Sequence, residues 1–153
     1  MSAVTRLKEL GITLPTPPAP VASYVPFTTS GKQVIVSGQI PLLDGKPQYI
    51  GKVGAAISLP DAQAAARLCA INVLAQLSIA CGGDLNRVRQ CLKLGVFVNA
   101  VPEYTQQPEV ANGASDLMLA VFGDAGKHAR AAVGVGSLPR GVAVEVEAIF
   151  EIS

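Results

Sequence analysis

The chain has 153 residues, of which 12 are basic and 11 acidic, so only 15% carry charge, and the net charge is +1. Ordinary soluble domains carry about 25% charged residues, yet half of this chain is hydrophobic and its mean hydropathy is +0.41. That balance excludes a disordered chain and a polybasic nucleic-acid tail, and implies that another copy of the chain covers part of the surface.

The opening residues predict a short helix. Ser2 can cap it, Val4, Leu7 and Leu10 sit at helical spacing, and Gly11 can stop it. Pro15, Pro17, Pro18 and Pro20 then forbid regular helix and predict an extended arm. From Ser23 the signals turn to strand. Tyr24, Val25 and Phe27 precede a turn at Ser30-Gly31-Lys32, and Gln33–Val36 returns as the partner, with Pro26 confining the first strand to an edge. Asp44-Gly45 is a second tight turn, between Ile40–Leu43 and Tyr49-Ile50.

The main helix is expected from about Pro60 to Cys81, with Pro60 and Asp61 in its first turn and Gly82-Gly83 as its stop. Its few polar positions imply burial on more than one side. Asn72, Gln76 and Ser78 interrupt its apolar stretch, so no run approaches the roughly 18 to 20 apolar residues of a membrane span. A strand at Cys91–Val98 and a second helix at Asp116–Phe122 follow, the latter closed by Gly123. At the end, Val144, Val146, Ala148, Phe150 and Ile152 alternate with Glu145, Glu147, Ile149 and Glu151, a period-2 strand with one apolar face. The preceding strand, Arg130–Val135, is expected to join it as a hairpin through Ser137-Leu138-Pro139-Arg140-Gly141. The order of elements predicts one α+β domain over residues 1–153, a sheet with helices on one face.

Few residues carry chemistry. If the terminal hairpin pairs antiparallel with residue numbers summing to about 275 (130 + 145), Arg130 stands opposite Glu145, some 5 Å away. That pair is either an exposed surface contact or a cleft in which the guanidinium binds a carboxylate and the glutamate acts as base. Ser37-Gly38-Gln39-Ile40-Pro41 is either a strand-ending bend or a place where a ligand approaches the backbone. Tyr24 is a pocket wall or a core or interface residue, and His128 is a surface or loop histidine. Cys69, Cys81 and Cys91 form no CxxC pair, and one histidine cannot complete a structural zinc site, so the cysteines read as small buried hydrophobes in a reducing cytoplasm. No GxGxxG, P-loop or GxSxG string is present.

Taken together, Ser37-Gly38-Gln39-Ile40-Pro41, Ala129-Arg130-Ala131-Ala132-Val133-Gly134-Val135, Leu138-Pro139 and Val144-Glu145-Val146-Glu147-Ala148-Ile149 resemble the YjgF/Rid (reactive intermediate deaminase) family. The match runs from about Pro20 to Ile152. The N-terminal helix with its proline arm (residues 1–20), and Gly126-Lys127-His128-Ala129-Arg130, resemble an endoribonuclease-like subgroup distinct from the best-studied deaminases.

The resemblance implies a chorismate-mutase-like fold, with a mixed sheet and two main helices on one face. It also implies a homotrimer built around a barrel, with ligand clefts between subunits. It further implies hydrolysis of 2-imino acids to 2-oxo acids and ammonia, without metal or organic cofactor. Arg130 would hold the substrate carboxylate and Glu145 would activate water. Tyr24, Ser37, Gly38 and Ala132 would line the site. One departure stands out: where active deaminases commonly carry Ser-Cys after the arginine, this chain has Ala131-Ala132, which keeps the main-chain groups and removes the side chains. Asn112 has no assigned place in the pocket. Two other readings compete: a non-catalytic trimer that binds small carboxylates or a regulatory partner, and a ribonuclease. Near-neutral charge and 5% aromatic content argue against the ribonuclease, and nothing suggests nucleic acid or membrane as a partner.

Overall fold

A computed structural model describes residues 1–17, 19 and 23–153. Helix α1 (Ala3–Glu9) begins as expected, the Ser2 hydroxyl accepting from the Thr5 amide, and Gly11 follows it with φ +70°. Pro18 and Pro20 of the expected arm lie outside the described residues; Pro15 and Pro17 are in neither helix nor strand.

Strands β1 (Phe27–Ser30) and β2 (Gln33–Gln39) form the expected antiparallel hairpin, Phe27 pairing with Val36 and Ser30 with Gln33. Tyr24 and Val25 lie before the strand rather than in it. The Asp44-Gly45 turn joins β3 (Leu42–Leu43) to β4 (Lys46–Pro47), both turn residues taking positive φ as that two-residue hairpin requires. Helix α2 (Leu59–Ala80) starts at Ser58, whose hydroxyl accepts from the Asp61 amide. It ends where the Gly83 amide returns to the Ser78 carbonyl. This helix is long and apolar enough to cross a bilayer, but its alanines, Val73, Leu74 and Leu77 are spent on the core of this fold.

Strand β5 (Val88–Asn99) is longer than expected, and α3 (Gln107–Phe122) starts nine residues earlier than the Asp116 start expected from the sequence (116 − 107 = 9). Strands β6 (Ala129–Val135) and β7 (Val144–Ile152) complete a five-stranded mixed sheet in the order β1-β2-β7-β5-β6. Here the expected terminal hairpin is overturned. β6 lies parallel to β5 at the sheet edge, Leu94 beside Arg130, while β7 is antiparallel to both β2 and β5. The reason is burial. β7 is the most regularly alternating strand and takes an inner position, whereas β6, with mostly exposed residues, takes the edge.

Val144, Val146, Ala148, Phe150 and Ile152 face the helices and are at most 5% exposed. Against them pack Ala62, Ala66, Cys69, Val73 and Leu77 of α2 and Val110, Ala114, Met118 and Val121 of α3. Small residues let the helices approach closely: Gly113 of α3 sits against the Gln63 carbonyl of α2. Full burial of a side chain such as Phe150 contributes about 1.5–3 kcal/mol, and its ring also meets Phe122 edge-on at 6.2 Å. Among the described residues, no helix covers the other face of the sheet. Ile35 and Val133 stand exposed on it, with Phe97, Ile149 and Glu145 half-buried. All three cysteines are buried free thiols, and burial pushes Cys91 up to about 12.

Candidate functional site

The candidate residues fall into two clusters. The first forms where β2 meets β7. Pairing is regular to Val36–Ala148 and resumes at Gln39–Val146, so β2 holds one extra residue at Ser37-Gly38. Ser37 is fixed by both of its donors. Its hydroxyl donates to the Val25 carbonyl at 2.7 Å and its amide to the Pro26 carbonyl at 2.9 Å. These bonds hold the chain just after Tyr24, which is 67% exposed, beside the bulge. Glu145 of β7 lies directly over Gly38, so close that a Cβ there would meet its Oε1 at 2.2 Å. Burial raises the Glu145 carboxyl above its ordinary value, and the Glu147 charge, two residues along the same face, raises it further. A carboxylate shifted this way is a better base near neutral pH. Glu147 in turn lies over Gly95 of β5.

The second cluster surrounds Arg130 on β6. Arg130 neighbours Leu94 and so leaves the sheet on the helix side, where its Nη1 donates to Asn112 Oδ1 at 2.8 Å and to Ser115 Oγ at 3.1 Å. Asn112 and Ser115 stand one turn apart on α3. Ser115 is 7% exposed and sits 2.9 Å from His128 Nε2, while His128 Nδ1 is 2.6 Å from the Gly126 carbonyl. A carbonyl only accepts, so in the neutral ring Nδ1 carries the proton and Nε2 accepts from the Ser115 hydroxyl. Among the described residues, Arg130 Nε and Nη2 have no partner.

Arg130 and Glu145 are therefore not the cross-strand pair that the sequence suggested. β5 lies between their strands, and the two side chains leave opposite faces of the sheet. Gly38 lies against Glu145, with Ser37 next to it in the bulge and Tyr24 just before Val25, whose carbonyl Ser37 holds. Ala132, half-buried beside Val96, shares the helix-facing side with Arg130. Hollows of about 430 and 450 Å³ are lined by α1, the loop after it and parts of α2, with neither Arg130 nor Glu145 among their residues. Among the described residues, no three His, Cys, Asp or Glu side chains group as metal ligands. Sequence reading missed the roles of Asn112, Ser115 and His128. Their signal was the three-residue spacing of Asn112 and Ser115, visible only once α3 is known to begin at Gln107.

Comparison with known proteins agrees with this architecture. Residues 4–147 match the family described as "YjgF/chorismate mutase-like, putative endoribonuclease". Protein TCP17 of Trypanosoma cruzi is 51% identical over 148 residues, covering 96% of this chain and 92% of that protein. The crystal structure of Atu1372 from Agrobacterium tumefaciens, a protein of unknown function, superposes with a TM-score of 0.93 at 51% identity, covering 99% and 92% of the two chains. E. coli TdcF with bound serine superposes with a TM-score of 0.65 at 26% identity, covering 90% and 94%. With nearly its whole length matched by that family, and with the mixed sheet and one-sided helices of its solved members, the chain belongs to the YjgF/chorismate mutase-like family.

Proposed function

We propose that this protein hydrolyses 2-imino acids to 2-oxo acids and ammonia in clefts formed between copies of the chain, assembled as a homotrimer. One observation carries the reading. A carboxylate anchor and a weakened acid leave opposite faces of one sheet, so one chain cannot close them around a single ligand, but two neighbouring copies can. Arg130 from one copy would take the substrate carboxylate on its open Nε–Nη2 edge, the bidentate geometry that guanidinium groups favour. Glu145 of the next copy would accept a proton from the water adding to the C=N carbon. It would return that proton to nitrogen to give a carbinolamine. It would then take the hydroxyl proton as the new C=O forms and pass it to the leaving nitrogen as the C–N bond breaks, so one water enters and one ammonia leaves. An imine is already electrophilic, so orientation and proton transfer suffice. Serine bound to TdcF, a small amino acid carrying a carboxylate, supports ligands of this size and charge.

A mixing experiment tests the reading. An amino-acid oxidase supplies the imine, and semicarbazide traps whatever the protein has not hydrolysed. Arg130→Ala and Glu145→Gln should each abolish the acceleration. Subunits of the two variants, unfolded and refolded together, should recover part of it, because some mixed clefts carry both intact residues. No acceleration by the unaltered protein would sink the proposal.

A second reading, binding without turnover, draws on Ala131-Ala132, which leaves the two residues after Arg130 without a hydroxyl or thiol. Binding of 2-oxobutanoate without any acceleration of imine hydrolysis would favour it. The ribonuclease activity in the family's description finds less support, since a net charge of +1 and 5% aromatic residues offer neither a phosphate groove nor a stacking platform.

A further inference from the structure

We infer that Ser115 and His128 are positioning residues for Arg130, a hydrogen-bond relay that turns the guanidinium so that its Nε–Nη2 edge faces the incoming carboxylate. The inference rests on the proposed carboxylate-binding role of Arg130 and extends it to Ser115 and His128, to which the resemblance gives no role.

The argument is one of donors and acceptors. Arg130 can only donate, and Ser115 Oγ, 3.1 Å away, must present a lone pair to it. A serine hydroxyl rotates freely unless its own proton has somewhere to go. His128 Nε2, at 2.9 Å, is that place. Its acceptor character is in turn fixed because Nδ1–H is committed to the Gly126 carbonyl at 2.6 Å. Every donor in the series Arg130, Ser115, His128, Gly126 meets one acceptor, in one direction only. Asn112 Oδ1 takes the second Nη1 bond, so both contacts fall on the same nitrogen and the opposite edge is left for ligand. Ser115 is buried at the helix–sheet junction and Gly126 is buried too, so the relay is anchored in the core while Arg130 is exposed. Gly126 allows this approach because a Cβ there would meet the Met118 carbonyl at 2.2 Å. A flexible arginine at an exposed sheet edge would otherwise lose much side-chain freedom on binding.

Two substitutions at His128 separate the relay from a merely structural role. Glutamine places its amide oxygen near the position of Nε2 and keeps an acceptor for Ser115. Asparagine keeps only the position of Nδ1 and the contact with Gly126. Binding of 2-oxobutanoate to the full chain is measured by calorimetry, and KM and kcat by the semicarbazide assay.

Ser115→Ala is expected to weaken binding and raise KM about tenfold, the size of one charge-assisted hydrogen bond, with kcat within about twofold. His128→Asn should match it and His128→Gln should stay near the unaltered protein. The double variant Ser115→Ala/His128→Asn should be no weaker than Ser115→Ala alone, since both act through one path. Equal loss in His128→Asn and His128→Gln, or additive loss in the double variant, overturns the relay. If His128→Asn does not fold, Ser115→Ala against His128→Gln decides. Ligand binding that is lost in Arg130→Ala but unmoved by Ser115→Ala removes the relay while the anchor stands. No binding to the unaltered protein, or binding unchanged in Arg130→Ala, removes the anchor and the relay together.

Discussion

A methyl group on Gly38 would lie 2.2 Å from Oε1 and 3.0 Å from Cδ of Glu145. The absent side chain is therefore what lets the carboxylate rest on the backbone bulge of β2. Gly38 has no positive φ, so alanine fits its backbone and only the glutamate has to move. Because the clashing atoms belong to the far end of a flexible side chain, the fold should survive. Gly38→Ala is expected to cost no more than about 1–3 kcal/mol of stability, as overpacking commonly does, yet to lower kcat by about ten- to a hundredfold through a misplaced base. Chemical denaturation beside the imine assay checks both halves.

Glu145 also makes a prediction about pH. Its carboxyl is raised, first by burial and then by Glu147, so the folded chain holds this proton more tightly than the unfolded chain does. Between the ordinary carboxylate value and the raised one, the native state binds more protons, and its stability falls as pH rises through that window. Above the window Glu145 is charged and destabilising; below the ordinary value it makes no difference. Glu145→Gln should therefore raise the melting temperature at neutral pH, and the gain should vanish on acidification to about pH 4. A variant that is less stable than the unaltered protein at neutral pH would show that the charge is compensated. The same substitution should lower kcat by about a hundredfold or more, the usual contribution of a positioned base.

Much of the fold was legible because its signals are local. The alternation from Val144 to Ile152 reports a strand buried on one face, and Gly82-Gly83 reports a helix stop, without any knowledge of the rest. Pairing is not local. The loop after β6 carries turn residues that suit a hairpin, and only the need to bury β7 on an inner position sends β6 to the edge beside β5. The same failure scattered the candidate site: Arg130 and Glu145 were singled out from the motif strings, and their expected mutual placement followed from a register that the sheet does not have. The front of α3 was missed because Asn112 and Gly113 are poor helix formers. At Gly113 the reason is packing with α2, a contact that no pattern within α3 could reveal.

Gly113 gives a clean test of that packing. By intrinsic propensity, alanine in mid-helix should stabilise α3 by about 1 kcal/mol. A Cβ at this position, however, would lie 2.0 Å from the Gln63 carbonyl oxygen and 2.8 Å from its carbon. These are backbone atoms of α2, which cannot swing aside as a side chain can. The helices would have to separate, breaking also the bond from Gln63 Nε2 to the Glu109 carbonyl at 2.9 Å. Gly113→Ala should thus destabilise the protein by about 1–3 kcal/mol or more, against the propensity trend, as measured by denaturant unfolding. A neutral or stabilising result would mean that α2 and α3 sit farther apart in solution.

The open face of the sheet ties the low charge of the chain to its proposed activity. Ile35 is 41% exposed and Val133 45% exposed on the face opposite the helices, with Phe97 and Ile149 half-buried beside them. Apolar side chains on a flat, uncovered sheet face call for a partner surface, and a chain with only 15% charged residues has few polar groups to spare for water there. If copies of the chain cover this face and so complete the cleft between Glu145 and Arg130, then assembly and catalysis should fail together. Ile35→Glu and Val133→Glu each place a carboxylate on that face, and neither replaces a residue of the candidate site. Light scattering should show the unaltered protein at a multiple of 15.7 kDa, three for the proposed trimer, and the variants shifted toward the single-chain mass. Imine hydrolysis should fall in proportion to the dissociated fraction and recover at high protein concentration. A monomeric variant that keeps full activity would show that one chain alone builds the site, and would overturn the shared cleft.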